Sequence, residues 1–353
     1  MSNRTIVIGN KKVKTPVFQG GMGVGISLGE LAGAVAREGG VGIISAAQIG
    51  YRDKNFEKDT WKANQKAIHE ELKKAREIAP EGIIGFNIMV AMNQYEEHVR
   101  EAVKAGADII VSGAGLPVDL PAYTAGSDVA LAPIVSTKKA ANVILKYWDR
   151  KYQKTADVVV IEGPWAGGHL GFHADEVRSY TRETYAKEVK EILSVVRAYE
   201  EKYKKEIYVI LGGGIRTKED FQYAMSLGVD GVQIGSRFVT TIECDADEKF
   251  KMAYVDAKKE DIAIIKSPVG MPGRAIMNSF MEKVKKEGRI PPKKCYHCIH
   301  TCDPSKTPYC ITEALIHAAK GELDQALLFC GAYAYEAKKL ETVKEVIESL
   351  EIF

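Results

Sequence analysis

The chain has 353 residues, 46% of them hydrophobic and 27% charged, enough to bury a large core as one big domain or two smaller ones. A net charge of +2, with bases such as Lys73, Lys74, Lys204 and Lys205 interleaved with acids, gives no case for a nucleic-acid surface. The opening MSNRTIVIGNKKVKTPVF lacks the apolar core of a signal peptide, and no segment reaches the roughly 18 apolar residues of a membrane span, so a soluble cytoplasmic protein with reduced thiols is expected.

Eight short runs rich in Val and Ile (17–20, 41–47, 83–88, 108–114, 131–136, 157–163, 207–215 and 231–238) alternate with amphipathic stretches over 28–38, 61–78, 94–105, 137–149, 182–204 and 218–227. Apolar residues at successive positions suit strands buried on both faces, and the helical stretches supply the crossovers of a parallel sheet. Eight such units predict an α/β fold, a (β/α)8 TIM barrel, with a doubly wound open sheet as the alternative. In 37-REGGVGII-44, 104-KAGADIIV-111 and 226-SLGVDGVQIG-235 a glycine predicts a helix C-cap at positive φ and a short return to the next strand. Beyond residue 240 the strand signal stops, and helical period is read over 245–260, 272–287, 311–319, 322–332 and 334–350. The expected division is a barrel over 1–243 and a helical extension over 244–353. The extension carries a cysteine loop at 288–310 and, around 266-KSPVGMPGRAIMN-278, a cover for the substrate mouth.

In such barrels the chemistry sits at the C-terminal ends of the strands. There the chain is rich in glycine: 19-QGGMGVG-25, 162-EGPWAGGHLGFH-173, 212-GGGIRT-217 and 235-GSRF-238 follow the first, sixth, seventh and eighth runs. Glycines let a ligand approach the backbone, and amides after strands seven and eight, with a helix starting at Thr217, can cradle a phosphate to which Arg237 would add charge. The Gly-x-Gly-x-x-Gly spacing fails, because Ile26 and Leu28 occupy its last position counted from Gly21 and Gly23. A dinucleotide fingerprint is therefore absent, and a mononucleotide fits better, with FMN as the redox candidate.

The segments 15-TPVFQGGMG-23, 85-GFN-87, 162-EGPWAGGHLG-171, 212-GGGI-215 and 233-QIGSRF-238 resemble, in order and spacing, the nitronate monooxygenase family (formerly 2-nitropropane dioxygenases). They are similar also to the flavin-dependent enoyl-acyl-carrier-protein reductases, which share that barrel. The resemblance covers roughly residues 10–280 and implies a TIM barrel holding FMN without a covalent bond. Carried over by position, Gly21, Met22 and Gly23 would lie against the isoalloxazine. Asn87, Glu162, Gly167, Gly168 and Gln233 would contact the flavin, and Gly213, Gly214, Gly235 and Ser236 would hold its phosphate. Glu162 stands where Gln is commoner among the monooxygenases, and Trp165 replaces an acidic residue that often precedes Ala-Gly-Gly-His.

The candidate catalytic residue is His169, on a glycine-flanked loop after the sixth strand, where an imidazole can serve as a base near neutral pH; the resemblance implies the same role. His173 is read as an ordinary loop histidine, since a metal pair with His169 has no third ligand and Gly171 interrupts the helix that would align them. A base opposite a flavin suits a carbon acidified by a nitro or thioester group, which covers nitronate oxidation, enoyl reduction, acyl dehydrogenation and double-bond isomerisation. A non-redox phosphate-binding isomerase or aldolase is the alternative of another class, although it lacks a lysine at a strand end; a non-catalytic flavin module is a third.

The last motif is 295-CYHCIHTCDPSKTPYC-310, in which Cys295, Cys298, Cys302 and Cys310 follow C-x2-C-x3-C-x7-C. Three close cysteines plus a fourth favour a [4Fe-4S] cluster over a structural zinc, for which His297 and His300 are substitute ligands. Cys244 and Cys330 fall outside the spacing and are read as packing residues. A flavin barrel with such a loop resembles the acyl-acyl-carrier-protein dehydrogenase/isomerases of bacterial unsaturated fatty acid synthesis. That likeness implies an acyl-thioester or other small-molecule substrate, with an acyl carrier protein and a second copy of the chain as the partners to consider.

Overall fold

The computed structural model describes residues 4–352. Eight parallel strands close into a barrel: β1 (Val17–Gln19), β2 (Val41–Ser45), β3 (Ile83–Met89), β4 (Ile109–Gly113), β5 (Ala130–Val135), β6 (Val158–Glu162), β7 (Tyr208–Gly212) and β8 (Gly231–Ile234). Neighbours in sequence are neighbours in the sheet, and β8 closes on β1 with Val232 opposite Val17. Both strand faces are buried, which is why the runs are continuously apolar. Phe18, Ile43, Ile109, Val160 and Ile210 pack in one cluster with Ile6 and Ile8 of the N-terminal hairpin, while the alternate residues Val17, Ile44, Ile110, Val159 and Val209 pack with the helices. Each such side chain contributes about 1.5–3 kcal/mol by leaving water.

Several crossover helices begin where short oxygen-bearing side chains satisfy first-turn amides. Asp59 opens Thr60–Ile78, Thr181 opens Arg182–Tyr203, and Thr217 opens Lys218–Ser226. Gly39, Gly106 and Gly228 sit at φ +84°, +96° and +96°, as the glycine-terminated turns predict.

Several expectations past β8 are corrected. The run 231–238 ends as a strand at Ile234, and Ser236–Val239 is a helical turn. The extension contains the helices Glu248–Asp256, Ser279–Glu287, Ile311–Ala319 and Val343–Glu348, but it also holds a sheet. Strand Pro272–Ile276 pairs antiparallel with Ile262–Lys266 along one edge; along the other it pairs with Gly168–His169 and then Leu328–Phe329. The stretch 272–287 therefore starts extended and becomes helical only after Asn278, whose side chain accepts from the Met281 amide. Neither 322–332 nor 334–350 forms a long helix, and Cys330 follows a strand. The physical reason is that 262-IAIIK-266 and 326-ALLF-329 are short apolar runs whose length fits a strand; the first forms a hairpin with Pro272–Ile276, while the other partners of that strand, Leu328–Phe329 and Gly168–His169, lie far away in the chain.

Candidate active site

A cavity of about 1070 Å³ opens at the C-terminal ends of the barrel strands, and every flavin-site residue expected from the sequence lines it, as does His169. The turn after β1 packs against β3 and β2: a Cβ on Gly21 would fall 2.2 Å from the Asn87 Cβ, and one on Gly23 would fall 2.6 Å from the Ser45 Oγ. Met22 is held by its amide, which donates to the Ser27 Oγ at 2.9 Å. After β7, Gly213 and Gly214 adopt φ +99° and +83°, a conformation that side chains rarely take. A Cβ on Gly213 would press on the Ala166 nitrogen at 3.0 Å, whereas one on Gly235 would meet only the Met22 sulfur, at 3.6 Å. The two turns after β7 and β8 thus form an open cradle bounded by main chain. The Ser236 hydroxyl, at its edge, accepts from the Gly331 amide at 2.9 Å.

The loop after β6 is tied to the extension. Residues Gly168 and His169 pair with Arg274 and Gly273, and the Leu170 amide donates to the Pro272 carbonyl at 2.8 Å. Arg274 donates to the carbonyls of Pro164, at 2.8 Å, and Ala166, while the Ala332 amide donates to the Trp165 carbonyl at 3.1 Å. The His169 Nε2 bonds the Ser267 hydroxyl at 2.7 Å, and the imidazole meets the Phe329 ring edge-on at 4.9 Å between centroids. Burial pushes the His169 pKa down to about 4, so the ring is neutral at pH 7. Burial also pushes Glu162 up to about 7, against the opposing pull of the Gly171 amide and the Arg274 charge. Tyr185 directs its hydroxyl at the carbonyls of Ser136 and Glu162, each at 3.1 Å.

Three contributors were missed in the sequence: Ser267, Arg274 and Phe329. All lie in or beyond the 266–278 stretch, which was read as a cover without individual roles, and no spacing marks them because each meets His169 or its loop through tertiary pairing alone.

Arg237 does not add free charge to the phosphate cradle; its guanidinium donates to the Arg216 carbonyl and to Glu341 at 2.9 Å. Arg216 is likewise held by Asp220 and Glu336 and stacks on Tyr333 at 4.1 Å. His173 stands at the N-terminus of the short helix Ala174–Ser179, with its amide donating to Glu176 at 2.8 Å. The cysteine loop docks on the segment after β3. The Asn93 amide donates to the Cys298 carbonyl at 3.0 Å, the His300 Nδ1 lies 2.7 Å from the Ala91 carbonyl, and Cys298 reaches the cavity wall. Among the described residues no three His, Cys, Asp or Glu side chains form a ready metal-holding group, although Cys298 lies near enough to Cys295, Cys302 and Cys310 for their charges to act on one another. Cys244 and Cys330 are buried, each with its thiol pushed up to about 12 by burial.

The family model for nitronate monooxygenase matches residues 4–351. A probable nitronate monooxygenase of Staphylococcus aureus (strain Newman) is 26% identical over 299 residues, covering 79% of this chain and 80% of the relative. Among solved structures, FabK from Thermotoga maritima superposes with a TM-score of 0.73 at 22% identity, covering 96% of this chain and 92% of that one. Nitroalkane oxidase from Streptomyces ansochromogenes gives 0.69 at 18% identity, covering 96% and 95%. Both share the fold of this chain. With the family model spanning almost the whole sequence, the protein is an oxidoreductase that belongs to the nitronate monooxygenase family.

Proposed function

We propose that the protein uses FMN to oxidise or reduce an acyl thioester, as an acyl-acyl-carrier-protein or acyl-CoA dehydrogenase-isomerase or an enoyl reductase. What supports an acyl substrate is the far part of the cavity. Past the glycine-rich floor it is walled by Ile299, Ile311, Leu315, Leu327 and Phe329 of the extension, apolar surface suited to an alkyl chain. The open cradle supports FMN: Gly213, Gly214, Gly235 and Ser236 would hold the phosphate, Gly21, Met22 and Gly23 would face the ring, and Asn87, Glu162, Gly167, Gly168 and Gln233 would contact its edge. Bound there, FMN supplies a hydride acceptor or donor.

The chain's own work is proton handling and orientation. A thioester carbonyl acidifies the neighbouring carbon, and with Nε2 donating to Ser267 the neutral His169 imidazole presents its Nδ1 lone pair to take that proton. Ser267 and the Phe329 ring fix the plane of the imidazole, which limits the directions from which the proton can come. The depressed pKa keeps His169 unprotonated at neutral pH, and so available to take a proton, while making it a weaker base than a solvated imidazole.

Anaerobic mixing with a medium-chain acyl-acyl-carrier-protein or acyl-CoA tests this: the flavin band should bleach. No bleaching, with rapid turnover of alkyl nitronates in air, would establish instead the second reading, a nitronate monooxygenase, which the family model favours. The cysteine loop is proposed as a [4Fe-4S] site, with zinc second, on its spacing alone. No ready metal-holding group stands among the described residues, so no catalytic step is routed through it. Metal and sulfide analysis of anaerobically purified protein decides: about four irons per chain for the cluster, one zinc for the alternative.

A further inference from the structure

Arg274 is a buried cation without an anion beside it. It lies inside the strand Pro272–Ile276, is 6% exposed, and forms no ion pair among the described residues. Glu162 acts on it only through space, and burial lowers its pKa. A buried guanidinium is costly unless its donors are spent well. Here both arms are spent on main chain: one nitrogen donates to the Pro164 carbonyl at 2.8 Å, the other to the Ala166 carbonyl. Those carbonyls belong to the loop that carries His169. The backbone of the same strand pairs with Gly168 and His169, and Pro272 takes the Leu170 amide.

We propose that Arg274 is a positioning residue for His169, a fork that grips the loop upstream of the imidazole while its own strand grips it downstream, and so fixes how far His169 projects into the cavity. This rests on the reading of His169 as the base. A fork is needed because two carbonyls two residues apart must be held at once. Lysine would reach one of them as a point donor, and methionine would fill the volume without donating.

The test uses Arg274→Met and Arg274→Lys, read without any substrate. In the wild-type protein, NMR titration of His169, assigned with His169→Gln, should show a ring that stays neutral well below pH 6, and the Leu170 amide should exchange slowly. In Arg274→Met the loop loosens toward water. The His169 titration should move up by about one pH unit or more, and Leu170 exchange should rise about tenfold or more, while the amides of Ile161 and Val209 in the barrel hold. Arg274→Lys should fall between, and it carries the same two readouts should the Met variant not fold. Titration and exchange within about twofold of wild type in both variants would overturn the proposal. Turnover separates it from the reading beneath it. With both signals shifted, a kcat lowered about 100-fold with KM within about threefold supports both, and unchanged turnover keeps Arg274 as the fork while removing His169 as the base.

Discussion

As the proposed base, His169 can act only while neutral, and the groups around it keep it so. Its Nε2 bonds a neutral hydroxyl, its ring lies against Phe329, and burial holds its pKa down at about 4. A general base loses activity as pH falls through its pKa, so the acid limb of kcat/KM should lie near pH 4 to 5, with no fall at the ordinary histidine value near 6.5. His169→Gln should lower kcat/KM by about 100-fold or more at pH 7 and abolish that limb. A limb at 6.5 that survives the substitution would assign the proton transfer to another group. A second test at this scale concerns Gly21, where a methyl group would overlap Asn87. Gly21→Ala should yield folded protein that retains less than about a tenth of the flavin, because the β1 turn must lift off β3 and shift every amide beside the ring. Adding Asn87→Gly, which clears the overlap, should not restore retention fully, since Asn87 is itself assigned to the flavin. A Gly21→Ala protein with full flavin content would remove that turn from the site.

At the scale of elements, the helix Gly29–Arg37 shows how a distant residue completes what the local sequence lacks. Its N-cap position is Leu28, which has no side-chain oxygen, and the first-turn amides are taken instead by Asp245, from Leu28 at 2.8 Å and Leu31 at 3.1 Å, with Glu71 accepting from Gly29 at 2.8 Å. Asp245→Ala should cost about 1–3 kcal/mol in urea unfolding, through the amides of Leu28, Glu30 and Leu31 left open at the helix end. A loss below about 0.5 kcal/mol would show that water replaces the carboxylate freely. The same distinction decides what could be read from the sequence. Strands such as Val158–Glu162, and glycine caps such as Gly106, announce themselves through short-range pattern, as do the glycines that bound the cavity. The sheet formed by Ile262–Lys266, Pro272–Ile276, Leu328–Phe329 and Gly168–His169 does not, because each strand is short and its partner lies up to about a hundred residues off. Ser267 and Arg274 cannot be read from the sequence for that reason, although they hold His169 and its loop. The cysteine spacing is legible as a pattern, and the four thiols lie near enough to act on one another, yet they do not form a ready metal-holding group among the described residues.

For the whole molecule, burial sets two kinds of titrating group against each other. Glu162 is raised to about 7 and Asp245 to about 6, so between the ordinary carboxyl range and those values the folded chain holds protons that the unfolded chain releases. Their contribution to stability is fully present below the unfolded pKa and is lost as pH rises through the folded one. His169 does the reverse: lowered to about 4, it costs stability as pH falls below 6.5, where the unfolded chain takes up a proton that the folded chain refuses. The pH profile of the whole protein sums these opposing contributions, and single substitutions separate its parts. Glu162→Gln removes the larger carboxyl contribution, on the order of 3 kcal/mol across the window. Melting temperature should then rise, for wild type relative to Glu162→Gln, by several degrees as pH falls from 8 to 5. His169→Gln should show the opposite slope against wild type below pH 6.5, since it removes a penalty that grows toward acid. Parallel curves for wild type and Glu162→Gln would mean that Glu162 titrates as an ordinary carboxylate, with water reaching the end of β6, and the buried proton assigned to it would not exist.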